Sequence, residues 1–284
     1  MRNCLILFAA ALLLAACSKS VMDDEEITQV RNIQFAVGGD FQNPVFTRAA
    51  PTADGKAMTD LWLFDYVDGA LVQTIHQTAD DSDFGAPSVP LAYGEHVIYL
   101  VCSRGVGATV STTDHTIVWQ NPRDTFWKRV SLSVGSGTPA TRIVTLDRVV
   151  TCLQVKVNDE VPEAIASITV TPTKWFFGMD YQTAAAVGEQ QGEPRLLSIP
   201  SSYVGTSGQV SISIYGFSAA AEWRTDFDVV ARDADDNIIG QAAVANAPFL
   251  RNRVTTYSGS LFSSNNTFTI TLNDQWLDPY EAEW

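Results

Sequence analysis

Leu61-Trp62-Leu63-Phe64-Asp65-Tyr66, a turn at Asp68-Gly69, and the return run Leu71-Val72-Gln73-Thr74-Ile75 decide the fold class of this chain. Asp-Gly is a favoured two-residue hairpin turn, because both central positions of such a turn need a positive φ. In the outgoing run Trp62, Phe64 and Tyr66 fall on one face, as expected of an aromatic packing surface. The unit is a β-hairpin.

Working outward, apolar residues keep recurring at a period of two rather than at helical spacing, the mark of strands with one buried face. Strands are expected at 96–102, 116–120, 128–134 and, as one or two elements, across 142–157. Asn158-Asp159-Glu160-Val161-Pro162 then forms a turn-rich patch, after which a second series begins at Ile168-Thr169-Val170. It continues through 209–217, where Val210, Ile212 and Ile214 face one way, through 227–231 and 238–244 around a turn at 233–237, and through 254–262 and 267–272. Residues 121–127 read as the one short helix worth naming. Six or seven short strands per half predict an all-β protein of two tandem β-sandwich domains, divided at residue 158 into 49–158 and 159–284.

The first sixteen residues have a different character. Arg2 precedes an apolar run that is too short for a permanent membrane span of about 20 residues, and it ends in Leu14-Ala15-Ala16-Cys17. Small side chains before a cysteine are what a lipoprotein-processing peptidase accepts, so 1–16 read as a lipoprotein signal peptide and Cys17 as the lipidated N-terminus, anchored in the outer membrane. The acidic stretch around Asp23-Asp24-Glu25-Glu26 reads as a solvated tether, and 17–48 as tether plus first strand.

Charge narrows the partners. The chain carries 18 basic and 32 acidic residues, a formal net charge of -14. A nucleic-acid partner is excluded on this balance, because binding phosphate requires clustered cations that release counterions. Two cysteines besides Cys4 and Cys17 remain, Cys102 and Cys152, both in apolar strand-like contexts, as a disulfide or as two buried thiols.

No constellation for catalysis stands out, and the chain reads as a non-enzyme without cofactor. His76, His96 and His115 lack zinc spacing. Asp233, Asp235 and Asn237 match three ligand positions of a calcium loop, but Ile238 stands where the glycine is needed and Val244 where the glutamate should be; Asp81 and Asp83 before Gly85 suit a turn. No metal is expected. The seven tryptophans raise a second reading, a surface glycan-binding lipoprotein, with Trp175 and Trp276 as exposed platforms and the others as core.

Asn32-Ile33-Gln34-Phe35-Ala36-Val37 alternates cleanly and puts Ile33, Phe35 and Val37 on one face of a first strand. Soon after it, Phe46-Thr47-Arg48-Ala49-Ala50-Pro51 presents a single arginine followed by small residues, a site suited to a trypsin-like protease. Cleavage there would free the first strand, and a sheet that loses a strand accepts another.

This layout resembles the fimbrillin family of surface pili made by Gram-negative anaerobes. The resemblance rests on the lipobox ending at Cys17, the first strand, Thr47-Arg48-Ala49 and the hairpin from Asp60 through Gly69. It also rests on Arg148 before Leu153-Gln154-Val155-Lys156-Val157, and on Arg251-Asn252-Arg253. It implies transthyretin-like Greek-key sandwiches, lipidation at Cys17, and cleavage between Arg48 and Ala49 by a trypsin-like surface protease. It further implies donor-strand assembly with other fimbrial subunits into a fimbrium on the cell surface. One feature departs from a stalk subunit. The tail from Asn273 to Trp284 carries Pro279 and several acidic residues, a poor donor strand. Either 267–272 is the donor, or the chain is a tip or anchor component.

Overall fold

The computed structural model describes residues 29–39, 58–218, 222–263 and 268–273. In the first half the strands are β1 Val30–Gly39, β2 Asp60–Val67, β3 Ala70–Thr78, β4 Ser88–Ala92, β5 Gly94–Ser103, β6 Val106–Ser111, β7 Thr116–Asn121, β8 Thr125–Val134 and β9 Thr141–Arg148. The second half holds β10 Val150–Val157, β11 Ile165–Pro172, β12 Lys174–Asp180, β13 Ala186–Gln191, β14 Arg195–Ser198, β15 Val210–Phe217, β16 Glu222–Asp233, β17 Ile238–Leu250, β18 Val254–Gly259 and β19 Phe268–Asn273. The helical content of the described residues is one 3-10 turn at Ser201–Tyr203.

The opening hairpin is where the sequence put it. Asp68 and Gly69 both take positive φ, 51° and 79°, and β2 pairs β3 from Asp60↔Thr78 to Val67↔Ala70. What the alternation did not disclose is that β2 is buried on both faces. Leu61 and Leu63 point into one core, while Trp62, Phe64 and Tyr66 point into another.

The first core belongs to a sandwich. Strands run in the order β3-β2-β5-β8-β9-β1-β4, but β8 and β9 share only the pairs Phe126↔Arg148 and Trp127↔Asp147. The path folds at that corner into a four-strand layer, β3-β2-β5-β8, and a three-strand layer, β9-β1-β4. Ile33, Phe35, Val37, Val89, Leu91 and Leu146 meet Leu61, Leu63, Ile98 and Leu100 between them. The second sandwich packs sheet β15-β10-β18-β19 on sheet β14-β11-β16-β17, around Val155, Ile168, Val229, Phe227 and Tyr257.

A third sheet, β13-β12-β7-β6, is shared. The β6–β7 hairpin comes from the first half and β12–β13 from the second, joined by Gly178↔Val118, Met179↔Ile117 and Asp180↔Thr116. Gly178 is what permits this approach: a Cβ there would lie 2.6 Å from the Ile117 carbonyl oxygen.

Three expectations need correction. Residues 121–127 are not helical; they end β7 and begin β8, with Pro122 at the break. The division at 158 comes too late, because β10 pairs β15 antiparallel and β18 parallel within the second sandwich, so the change of sheet falls at Val149. Trp175 is not an exposed platform: it is 1% exposed, and its indole N–H donates to the Tyr215 carbonyl at 2.9 Å.

Candidate functional site

β1 is the strand whose placement carries most meaning, because it is a central strand made from a segment remote in sequence from its neighbours. Its first half runs antiparallel to β4, from Val30↔Ala92 to Gln34↔Ser88, and the ladder continues with Phe35 N–H to Pro87 O and Val37 N–H to Gly85 O, both 2.9 Å. Its second half runs parallel to β9, from Gln34↔Thr141 to Gly39↔Leu146. The alternate residues Ile33, Phe35 and Val37 are each fully buried. Burying three such side chains stabilises by about 5–9 kcal/mol at about 1.5–3 kcal/mol each, as much as the whole net stability of an ordinary domain. Taking β1 away would therefore leave a groove between β4 and β9 whose floor is the first core and whose walls are two unpaired strand edges.

The groove rests on polar fixings. The His96 Nε2–H donates to the Ala92 carbonyl at 2.9 Å, and its Nδ1 meets Asp65 at 2.8 Å, so the end of β4 is tied through a buried imidazole to β2. Gln77 receives the Gly85 N–H and donates to the Asp83 carbonyl, both at 3.1 Å, which holds the loop that continues the β1 ladder. Asp81 closes the same loop by accepting the Thr78 N–H at 2.6 Å. The Asp81 carboxylate is occupied by turn geometry, and among the described residues no three of His, Cys, Asp and Glu converge as a metal cluster.

At the corner beside the groove, Arg148 clasps Asp124 with two bonds of 2.6 and 2.9 Å, both side chains buried, and its guanidinium lies 4.8 Å over Phe126. Between the halves, the Tyr66 hydroxyl meets the Tyr181 hydroxyl at 2.9 Å and His115 Nδ1 at 3.1 Å. Tyr181 stacks on Phe64 at 3.8 Å, and the Trp127 indole N–H donates to its carbonyl at 2.6 Å. Burial pushes the Tyr181 phenol well up, with the Tyr66 bond adding to it. His115 is thus a joint residue. The joint escaped the sequence reading because its members lie far apart in the chain; the one trace was the aromatic face of β2.

Ile33, Phe35 and Val37 are together, on the face expected of them. Cys17, Arg48 and Ala49 lie outside the described residues, as does Trp276. Cys102 belongs to the first core and Cys152 to the second, both as buried thiols; burial pushes the Cys102 thiol far up, with Asp60 and Asp124 adding to it. At the 233–237 turn, Asp233 accepts from the Asp235 and Asn237 N–H groups at 3.0 and 2.8 Å, and the Asn237 donors hold its carboxyl below the usual range. Trp62, Trp119, Trp175 and Trp223 are all buried, so their ring faces are spent on packing.

Comparison with known structures identifies the same architecture elsewhere. A candidate adhesin of Bacteroides ovatus superposes with a TM-score of 0.51 at 10% identity, covering 83% of this chain and 88% of its own. A protein of Bacteroides thetaiotaomicron described as a candidate polysaccharide-binding protein gives 0.50 at 8% identity over 86% and 96%. The tip fimbrial protein Mfa3 of Porphyromonas gingivalis, truncated at its C-terminus, gives 0.47 at 12% identity over 86% and 100%. At these identities the likeness is one of fold alone. No curated protein matches the sequence. The family described as "Family of unknown function (DUF6562)" matches residues 107–284, more than half of the chain, and the protein belongs to that family.

Proposed function

We propose that the protein is a structural subunit of a surface fimbrium that is exported as a lipoprotein through Cys17, cut after Arg48, and completed by a strand from another subunit in place of β1. The observation that carries this reading is the position of β1. It fills the middle of a layer with Ile33, Phe35 and Val37 in the core, yet Arg48 stands in the sequence between it and β2. A strand in such a place is indispensable to the monomer and replaceable in a polymer, because strand addition reuses the same backbone donors and the same alternating pockets. The fold shared with candidate adhesins of Bacteroides is in keeping with it. The acidic tail with Pro279 is a poor donor, so either 267–272 supplies the donor strand or the subunit is a tip or anchor component.

The test is the N-terminus of protein taken from its native surface, read by mass spectrometry, beside an unheated denaturing gel. Ala49 at the terminus with a ladder of polymers is the expected result. Cleavage at Arg48 that leaves only monomer, or an uncut chain that never enters a fibre, would defeat the proposal.

A further inference from the structure

Most cations among the described residues have a visible partner. Arg148, Lys128, Lys174 and Arg224 pair with carboxylates, and Arg31 and Arg251 donate to carbonyls. Arg195 and Arg123 differ. The Arg195 guanidinium lies 5.1 Å over the Phe177 ring, and its Nη2 is shielded from solvent without a hydrogen-bond partner among the described residues. Burial first, and the charge of Arg123 second, push that guanidinium below its ordinary range, with Glu193 pulling the other way. Two like charges so near each other, one with an unmet donor, form an arrangement that an anion between them relieves.

The two arginines line a cavity of about 290 Å³ with Asn121, Leu197, Ser213 and Ile214. It opens where β14 and β15, the edge strands of the second sandwich's two sheets, meet the connector from β7 to β8. The connector is pinned directly after Arg123, since Asp124 is clasped by Arg148 and the Thr125 hydroxyl donates to the Arg123 carbonyl at 3.0 Å. The volume sits at the lower limit of ligand sites, which run from about 300 to 1,000 Å³; it suits one ring, not a chain of them. A guanidinium fork matches a carboxylate. Asn121 and Ser213 supply neutral donors and acceptors for hydroxyls, and Leu196, which lines the same cavity and is exposed, supplies an apolar surface for a ring face. A polyanion is disfavoured, because only two cations face the cavity and Glu193 stands beside them.

We propose that this cleft between the halves binds an acidic sugar residue, with Arg195 and Arg123 gripping its carboxylate. The site goes beyond the assembly reading and is independent of it, since no residue of β1 takes part. The experiment is calorimetric titration of the full, uncut chain with glucuronate, with glucose as the neutral twin and triglutamate as a carboxylate-rich peptide. Saturable binding of glucuronate, none of glucose, and at least tenfold weakening in both R123A and R195A are expected, with R195K between wild type and R195A because it keeps the charge and loses the fork. Absence of glucuronate binding to the wild type, equal binding of glucose, tighter binding of triglutamate, or unchanged affinity in R123A would each overturn the proposal. If R195A does not fold, R123Q, at a half-buried position of the connector, carries the test alone, with near-ultraviolet circular dichroism as the check on its fold.

Discussion

Single residues set the tolerances of this molecule. Gly216 seats Trp175: a Cβ there would fall 2.2 Å from the indole nitrogen that donates to Tyr215. Gly216→Ala is therefore expected to destabilise by about 1–3 kcal/mol, as overpacking of a filled core does, measured by urea denaturation. Asp124 is a stricter case. Its removal leaves Arg148 buried without its carboxylate, and Asp124→Ala should cost about 3–5 kcal/mol; the same denaturation experiment checks it, and a loss under about 1 kcal/mol would mean the pair is dispensable. Tyr257 gives a pH signature. Burial pushes its phenol up to about 12, with Arg224 pulling back, whereas an unfolded phenol titrates near about 10. The fold favours the neutral phenol, so this contribution is whole below pH about 10 and is lost as pH rises toward 12. Stability followed by near-ultraviolet dichroism should fall over that window, and Tyr257→Phe should make the fall shallower.

Among the elements, β1 is the one whose two roles can be separated by experiment. Phe35→Ala should cost the uncut monomer about 3–5 kcal/mol, yet leave an assembled fibre as resistant to heat as the wild type, because under the assembly proposal β1 is absent from the fibre. A fibre weakened by the same amount would mean that β1 is retained. Strands with one wet face were legible from their alternation: β1, β3 with its exposed and half-buried alternation, and β16 with its buried alternate residues. Of those covered on both faces, β2 was placed by the turn that follows it, whereas β12 and β10 misled. β12 buries Trp175, Phe176, Phe177 and Met179 in succession, which removes the alternation that would have placed Trp175 inside. β9 and β10 follow one another with a break of one residue at Val149, and only the pairing of β10 with β15 and β18 reveals that they serve different sandwiches. The groove was half legible: its occupant was, but not its walls, β4 and β9, which reach β1 from far along the chain.

The whole molecule is two sandwiches that share an aromatic joint and a sheet. Trp62, Phe64, Tyr66, Tyr99 and Val101 of the first half belong to the same hydrophobic cluster as the second sandwich, so the halves are expected to unfold as one cooperative unit. Gly178→Val, which forces a side chain against the Ile117 carbonyl, should open the shared sheet and split the calorimetric transition into two, while one undivided peak would show that the aromatic joint suffices. Apart from the aromatic face of β2, none of this was legible beforehand, because its contacts join residues near 66, 117 and 180 and no local pattern records such pairings. The joint has a mechanical meaning. Bodies connected by one strand swivel about it freely, but these are connected twice, through Val149 in the chain and through the three pairs of β7 with β12. Two separated attachments resist twisting, so a torque applied to one half is delivered to the other instead of being dissipated at a hinge.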